Sequence, residues 1–144
     1  MRYGHKEAQN MFLALGEMNG YQTRRTYTPK FPTDGIWLKH DRLFGDIPFA
    51  AIEVIVSESP KTIRGSIATL EFVSPAIAII LIQDQEITRG LRKRGVADNQ
   101  IIKRLDGIYT HISEGIKQSR QIFKVWGYEN LECNFKLANG SNIH

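Results

Sequence analysis

The sequence predicts an α/β domain in which a mixed β-sheet is flanked by helices. Segments with helical periodicity and short apolar or alternating segments follow one another along the chain, as this class requires. Residues 76–82 are apolar without alternation, which is typical of a central strand covered on both faces. With 144 residues and 42% hydrophobic content, the chain is long enough for one domain with a core and too short for two.

One helix and three strands are predicted for the N-terminal part of the chain. Residues 7–18 carry apolar side chains near helical spacing and precede Asn-Gly, a pair suited to a left-handed helix cap. Residues 21–28 are rich in β-branched and aromatic side chains and end before Pro29, which indicates a strand. Residues 34–40 and 48–57 predict two more strands joined by a turn-rich segment, so the three strands should form an antiparallel meander.

A second helix, another strand and a short basic helix are predicted next. Residues 60–73 begin with proline, which the first turn of a helix tolerates, and they place apolar side chains on one face. Because the strand at 76–82 follows a helix, we expect it to pair in parallel with its neighbour. A short basic helix begins at Asp84 or Thr88 and ends near Gly95.

The C-terminal part is predicted to hold a long amphipathic helix, since an apolar stripe runs through residues 98–126. Residues 131–137 alternate between apolar and polar and predict a short edge strand, while residues 138–144 form a polar tail with nothing to order it. The predicted organisation is a single domain over residues 1–144, with a core at about 4–83, a C-terminal helical extension at about 84–137 and the flexible tail.

Composition indicates a cytoplasmic protein without a membrane partner. The chain has no apolar run of about 18 residues and its N-terminus lacks the apolar stretch of a signal peptide. Cys133 is the only cysteine, which excludes an internal disulfide framework and a zinc site built on several thiolates. Its place in the predicted edge strand suggests a small buried side chain.

The basic residues are unevenly distributed along the chain. The formal net charge is +4, but residues 89–124 hold nine basic side chains against three acidic ones. Such an excess predicts a polyanionic partner. The alternative is that these side chains form the ordinary solvated faces of helices.

Glu53 lies inside an otherwise apolar predicted strand, and Asp34 lies at the start of the strand before it. A buried ionised carboxylate costs several kcal/mol unless a cation or base meets it. If the two strands are neighbours, the two carboxylates meet, and Mg²⁺ or Mn²⁺ would relieve their repulsion while holding a phosphate oxygen and a water. Alternatively, Asp34 is a turn residue, and Glu53 lies on a solvent-facing edge or pairs with Arg24 or Arg25.

The order helix, three strands, helix, strand, with these two acidic positions, resembles the PD-(D/E)xK (restriction-endonuclease-like) nuclease superfamily over residues 4–83. In size the chain looks most similar to the archaeal Holliday-junction resolvases. The resemblance implies an αβββαβ core and a metal-dependent DNA endonuclease, with Asp34 and Glu53 as catalytic residues and ligands of Mg²⁺ or Mn²⁺. Glu7 would be the further acidic residue of the first helix, unless it is only a first-turn carboxylate favoured by the helix dipole.

One position departs from the family pattern. Where the family has lysine, two residues after the motif glutamate, this chain has Ile55. Lys61 is the nearest candidate to supply the missing cation as a catalytic residue, and Lys39 is a weaker one. The alternative is a catalytically inactive nuclease-fold protein that acts as a DNA-binding or structural assembly component. A third alternative is a small α/β protein in which Glu53 is structural.

Two basic groups are candidates for nucleic-acid binding. Lys61 and Arg64 would hold the scissile strand, and a second group, at Arg89, Arg92, Lys93 and Arg94, would bind flanking phosphates. The long C-terminal helix carries more apolar surface than a sheet of four or five short strands needs, which predicts a homodimer through this helix. The alternative is that the helix covers one face of the sheet.

Overall fold

A computed structural model describes residues 3–141 as one five-stranded mixed sheet with helices on both faces. In chain order the elements are α1 (Tyr3–Met18), β1 (Gln22–Arg24), β2 (Gly35–Asp41), β3 (Gly45–Ile55), α2 (Pro60–Val73), β4 (Ile77–Ile82), α3 (Asp84–Lys93), α4 (Asp98–Ile116), β5 (Phe123–Gly127) and α5 (Tyr128–Ser141). The α/β class is confirmed, and the predicted helix, three strands, helix and strand follow one another in the predicted order.

The strands lie side by side in chain order, from β1 at one edge to β5 at the other. β1, β2 and β3 form the predicted antiparallel meander, whereas β3, β4 and β5 are parallel. The prediction that β4 pairs in parallel is therefore confirmed. The carboxyl ends of three neighbouring strands meet at one edge of the sheet, which is where ligands bind in open α/β sheets.

Each face of the sheet packs against its own helices. Even-numbered residues of β2 and β4 and odd-numbered residues of β3 contact α2, α3 and α4, and the opposite set contacts α1 and α5. The first layer is centred on fully buried side chains such as Leu70, Ile80 and Ile112. Burying each such aliphatic side chain contributes about 1.5–3 kcal/mol, so the strict alternation fixes which residues of β3 face which layer.

Helix α2 has the start and stop that its sequence predicts. The Ser59 hydroxyl accepts a hydrogen bond from the Thr62 N–H, and Pro60 occupies the first turn. Ser74 ends the helix in the left-handed conformation, with φ of 54°, and its N–H donates to the Leu70 carbonyl. These local signals fix the direction in which α2 runs back over β3.

The C-terminal part differs from the prediction in three ways. Helix α4 ends at Ile116, and residues 123–127, predicted as its last turns, form β5 beside β4. Residues 131–137, predicted as an edge strand, belong to α5. Residues 138–141 of the predicted flexible tail continue that helix, and residues 142–144 lie outside the described part of the chain. The predicted helical extension therefore contributes a strand to the same sheet as the core.

The strand at residues 123–127 and the helix at residues 131–137 each have a physical cause. Phe123, Val125 and Trp126 favour a strand once a neighbouring edge offers backbone hydrogen bonds, and β4 provides that edge. In α5, Leu131 and Phe135 recur at helical spacing, and Leu131 is completely buried against α1 and the sheet. Cys133 is consequently exposed on α5, not buried in a strand.

Most of the apolar side chains that predicted a homodimer are used within the chain, although Ile122 is 58% exposed. Helix α4 buries Ile101, Ile108 and Ile112 against α2 and the sheet, as the alternative interpretation expected. Tyr128 is buried in the layer of α1 and α5, and Trp126 packs against it. The homodimer stays a prediction.

Within residues 3–141, no helix combines the length and apolar character needed to cross a bilayer.

Candidate active site

Asp34 and Glu53 lie together at the point where β2 begins beside β3. Gly35 is opposite Ile52 in the register, which confirms that the two strands are neighbours. The Asp34 N–H donates to the Ile52 carbonyl (3.1 Å) and to Glu53 Oε2 (3.0 Å). In return, Asp34 Oδ2 accepts a hydrogen bond of 2.8 Å from the Val54 N–H. The Asp34 side chain is therefore fixed across β3 and is not that of a free turn residue.

Helix α1 supplies two side chains to the same place. His5 Nε2 lies 3.0 Å from Asp34 Oδ1, and both side chains are mostly buried, with exposed fractions of 17% and 22%. The Gln9 amide donates to the Asp34 carbonyl (2.5 Å). His5 and Gln9 are four residues apart and hence lie on one helical face. The sequence carries little signal for this contact beyond the four-residue spacing of His5 and Gln9 on an amphipathic helix.

Gln83 anchors the start of α1 beside His5. The Gln83 N–H donates to the Ile55 carbonyl (2.9 Å), and the Gln83 side-chain amide donates to the Gly4 carbonyl (3.1 Å). This residue directly follows β4 and is almost completely buried. The end of the parallel sheet thereby holds the first turn of α1 in position, and with it the imidazole that contacts Asp34.

Glu53 is buried, with 9% of its surface exposed, and its side chain points into the layer that contains α2. Burial and then the negative charge of Asp34 raise the pKa of Glu53 to about 9, and a hydrogen bond with the Asp34 side chain acts in the same direction. Hydrogen bonds from the Asp34 N–H and from Ser66 lower this pKa in part. In the metal-free protein, Glu53 therefore holds a proton at neutral pH.

The two alternative interpretations of Glu53 are wrong. The side chain does not face solvent, and its hydrogen bonds are with Asp34 and Ser66. Arg24, one of the two expected partners, instead forms an ion pair of 3.5 Å with Asp46.

Where the nuclease pattern has lysine, this chain has Ile55, which is part of the apolar core. Ile55 points to the same face as Glu53, is 1% exposed and packs in the layer that contains Ile63, Ile82 and Leu91. Lys61 lies exposed in the first turn of α2, two residues before Ile63. Lys39 is opposite Ile47, toward the far end of the β2–β3 hairpin from Asp34.

Glu7 is directed away from the two carboxylates. Its Oε1 accepts a hydrogen bond of 2.8 Å from the Tyr128 hydroxyl, so it links α1 to α5. Because α1 begins at Tyr3, Glu7 lies in the second turn of the helix, and the first-turn alternative is wrong as well. The expected grouping of Glu7 with Asp34 and Glu53 is thus not observed.

The donor set suits a hard divalent cation but is small. Two carboxylates are enough protein ligands for Mg²⁺, which usually keeps several waters and uses substrate oxygens for the rest. A bound cation would also offset the electrostatic cost of ionising Glu53, the buried acid whose pKa is strongly raised. Within residues 3–141, no three His, Cys, Asp or Glu side chains are grouped so that they could hold a metal ion together. The residues present therefore fit Mg²⁺ through Asp34 and Glu53 only.

The basic residues of α3 fall into two groups. Arg89, Arg92 and Lys93 line a cavity of about 590 Å³ between α3 and α4. Arg94 instead lines a separate cavity of about 230 Å³ with acidic neighbours, among them Glu58. The predicted run of four phosphate-binding side chains is therefore split between two sides of the helix. Lys61 and Arg64 both lie exposed on α2.

No protein-family model, curated protein sequence or solved structure matches this chain. The order of the elements and the two carboxylates are the features that resemble restriction-endonuclease-like nucleases.

Proposed function

We propose that this protein is a metal-dependent DNA endonuclease of the restriction-endonuclease-like class, which hydrolyses phosphodiester bonds at Asp34 and Glu53. The observation that carries the proposal is the meeting of two carboxylates, nineteen residues apart in sequence, in a mostly buried site where the start of β2 lies beside β3. Burial and the charge of Asp34 raise the pKa of Glu53 to about 9, and strongly perturbed pKa values cluster at functional sites.

The chain's own residues divide the work of the proposed site. Asp34 and Glu53 would hold Mg²⁺ or Mn²⁺, which when bound supplies a Lewis acid and an activated water. His5 holds Asp34 Oδ1 and so orients this ligand, as hydrogen-bond partners of metal ligands commonly do. Glu53 must release its proton before it can bind a cation, so the site is expected to work better as the pH rises toward 9.

A catalytically inactive DNA-binding or assembly protein is the second candidate, and Ile55 favours it. A lysine in the family position would place a cation beside the two carboxylates, whereas Ile55 is part of the apolar core.

For an active enzyme, Lys61 is the candidate replacement, and its exposure in the first turn of α2 leaves its long side chain free to reach toward a bound phosphate. Lys61→Gln is therefore expected to lower cleavage.

The first test is cleavage of linear, single-stranded and four-way-junction DNA with Mg²⁺ or Mn²⁺. Asp34→Asn and Glu53→Gln keep side-chain shape but weaken metal binding, and each is expected to lower the rate about 100-fold or more. Asp106→Asn and Glu114→Gln, both exposed on α4, are charge-matched controls that should cleave like the wild type. Equal cleavage by all variants, or none by the wild type, would remove the endonuclease proposal. DNA binding in EDTA would then identify the inactive binding protein.

A further inference from the structure

The cavity between α3 and α4 has the size of a small-ligand site. Its volume is about 590 Å³, within the range of small-molecule sites, and it is open to solvent along the exposed side chains of Arg89, Arg92 and Lys93. It begins at Asp84, immediately after Gln83 and the end of β4, and follows the 10 residues of α3 to Lys93, or about 14 Å at the rise of an α-helix. It thus opens at the carboxyl edge of the parallel strands.

One end of the cavity is strongly basic. Arg89, Arg92 and Lys93 face it from two successive turns of α3, against a single acidic lining residue, Asp84, which gives a formal net charge of +2. Both arginines form ion pairs within the chain, Arg89 with Glu86 (3.4 Å) and Arg92 with Asp98 (3.3 Å). These ion pairs are weak because the guanidinium groups are largely exposed. These guanidinium groups are therefore available to a phosphate, which they can bind with two parallel hydrogen bonds.

The other end is polar and neutral to acidic. Asp84 lines this end, and Tyr109, just outside the lining and one helical turn after Leu105, lies close to Asp84. A Cβ placed on Gly127 would lie 3.3 Å from the Tyr109 hydroxyl and 3.6 Å from Asp84 Oδ2, so the missing side chain leaves these two groups side by side. Burial and the charge of Asp84 raise the pKa of Tyr109, which keeps its hydroxyl protonated as a hydrogen-bond donor.

Between these ends the cavity is lined by groups that bind uncharged organic parts of a ligand. Thr88 and Gln85 offer a hydroxyl and an amide, and Leu105 offers an apolar surface. A ligand that matches this sequence of groups has a phosphate at one end, a flat or apolar body and hydrogen-bonding groups at the other end. A nucleotide has all three parts, and only an unpaired nucleotide leaves its base free to enter a concave site.

We propose that the α3–α4 cavity binds one unpaired nucleotide of a DNA strand, with its phosphate on Arg89, Arg92 and Lys93 and its base toward Asp84 and Tyr109. The inference rests on the proposed action on DNA, but it assigns a second site on a different part of the sheet edge from Asp34 and Glu53. It further selects single-stranded or unpaired DNA over continuous duplex.

The test is binding of fluorescently labelled single-stranded and duplex DNA of equal length, in EDTA, over a series of salt concentrations. The triple variant R89Q/R92Q/K93Q is expected to lose about tenfold or more in single-strand affinity, with a salt slope lower by about 0.7, since it removes the contact with one phosphate. The control triple K117Q/R120Q/K124Q lowers the net charge equally at exposed positions outside the cavity. It should bind as the wild type does.

A second variant keeps all the basic residues. Thr88→Glu adds a carboxylate inside the cavity, and it should weaken single-strand binding at least fivefold, whereas Thr110→Glu on the exposed face of α4 should not. The inference would be overturned by equal losses in the cavity and control triples, by no loss in either, or by duplex binding as tight as single-strand binding. Because no metal is present, absence of cleavage at Asp34 and Glu53 would leave these binding results unaffected.

Discussion

Replacing Glu53 with glutamine is expected to stabilise the metal-free protein at neutral pH. The side chain is 9% exposed and shares a buried site with Asp34, so its ionised form is disfavoured. Glutamine has nearly the same shape and never ionises. Its amide can also donate to the Asp34 side chain, as the protonated carboxyl group does.

The size of the effect follows from the two pKa values. The pKa of Glu53 is about 9 in the folded protein and 4.5 ordinarily. Between these values the folded state binds a proton that the unfolded state has lost, so the free energy of unfolding falls as the pH rises, by about 1.4 kcal/mol per pH unit. Stability is thus fully present below pH 4.5, and about 3 kcal/mol of it is lost by pH 7. Glu53→Gln should recover about that amount at pH 7 and little at pH 5.

Urea unfolding of both proteins at pH 5, 6, 7 and 8 in EDTA measures this difference. The wild-type free energy of unfolding should decline steeply relative to that of the variant, and comparison of the two proteins removes the contributions that they share. Glu114→Gln, at an exposed position of α4, should follow the wild type at every pH. A constant difference between wild type and Glu53→Gln over this range, or a less stable variant at pH 7, would refute the reasoning.

Three further predictions concern the metal, the packing of α1 and the position of α5. Because a cation needs ionised Glu53, Mn²⁺ binding should release about one proton per ion below pH 9, and its affinity should increase about tenfold for each unit that the pH rises. Calorimetry in buffers of different ionisation enthalpy measures both quantities. Gly16→Ala should destabilise the protein by about 1–3 kcal/mol, since its Cβ would lie 2.5 Å from Trp37 Nε1. Gly107→Ala, where a Cβ meets open space, should raise the free energy of unfolding by about 0.5–1 kcal/mol, and urea titrations of both variants measure the difference. Cys133 should react with a thiol reagent in the native protein about as fast as a free thiol, and a reaction that needed urea would contradict its exposure on α5.

Local signals predicted the part of the fold that depends on local interactions. Helix α2 begins at Pro60 and ends before Ser74, where the sequence has a helix-starting proline and a Ser-Pro breaker. The strand at 77–82 was predicted from its apolar composition. Residues 123–127 could not be assigned in this way, because Ile122 and Trp126 also fit the apolar stripe of a helix. Only the parallel edge of β4, far away in sequence, makes them a strand.

The same division applies to the candidate site. The meeting of Asp34 and Glu53 could be predicted, since it follows from an antiparallel pair of strands that are close in sequence. The contact of His5 with Asp34 depends on how α1 crosses the sheet and on the Gln83 amide that holds its first turn. Those are tertiary contacts over about 30 and 80 residues, and no pattern in the sequence encodes their distances. The nuclease pattern favours a carboxylate on this helix, so it indicates Glu7 and gives no reason to expect His5.

Ile55 connects the stability of the core to the chemistry of the site. A lysine there would supply a permanent positive charge on the face to which Glu53 points, and the Glu53 pKa would fall. Isoleucine instead completes the apolar layer under α2 and leaves the two carboxylates without a fixed counter-charge. Charge compensation must then come from something exchangeable, either a proton or a metal ion, and the two compete for Glu53. The replacement that stabilises the core therefore makes the proposed metal site dependent on pH, and any activity at this site should increase from neutral to alkaline conditions.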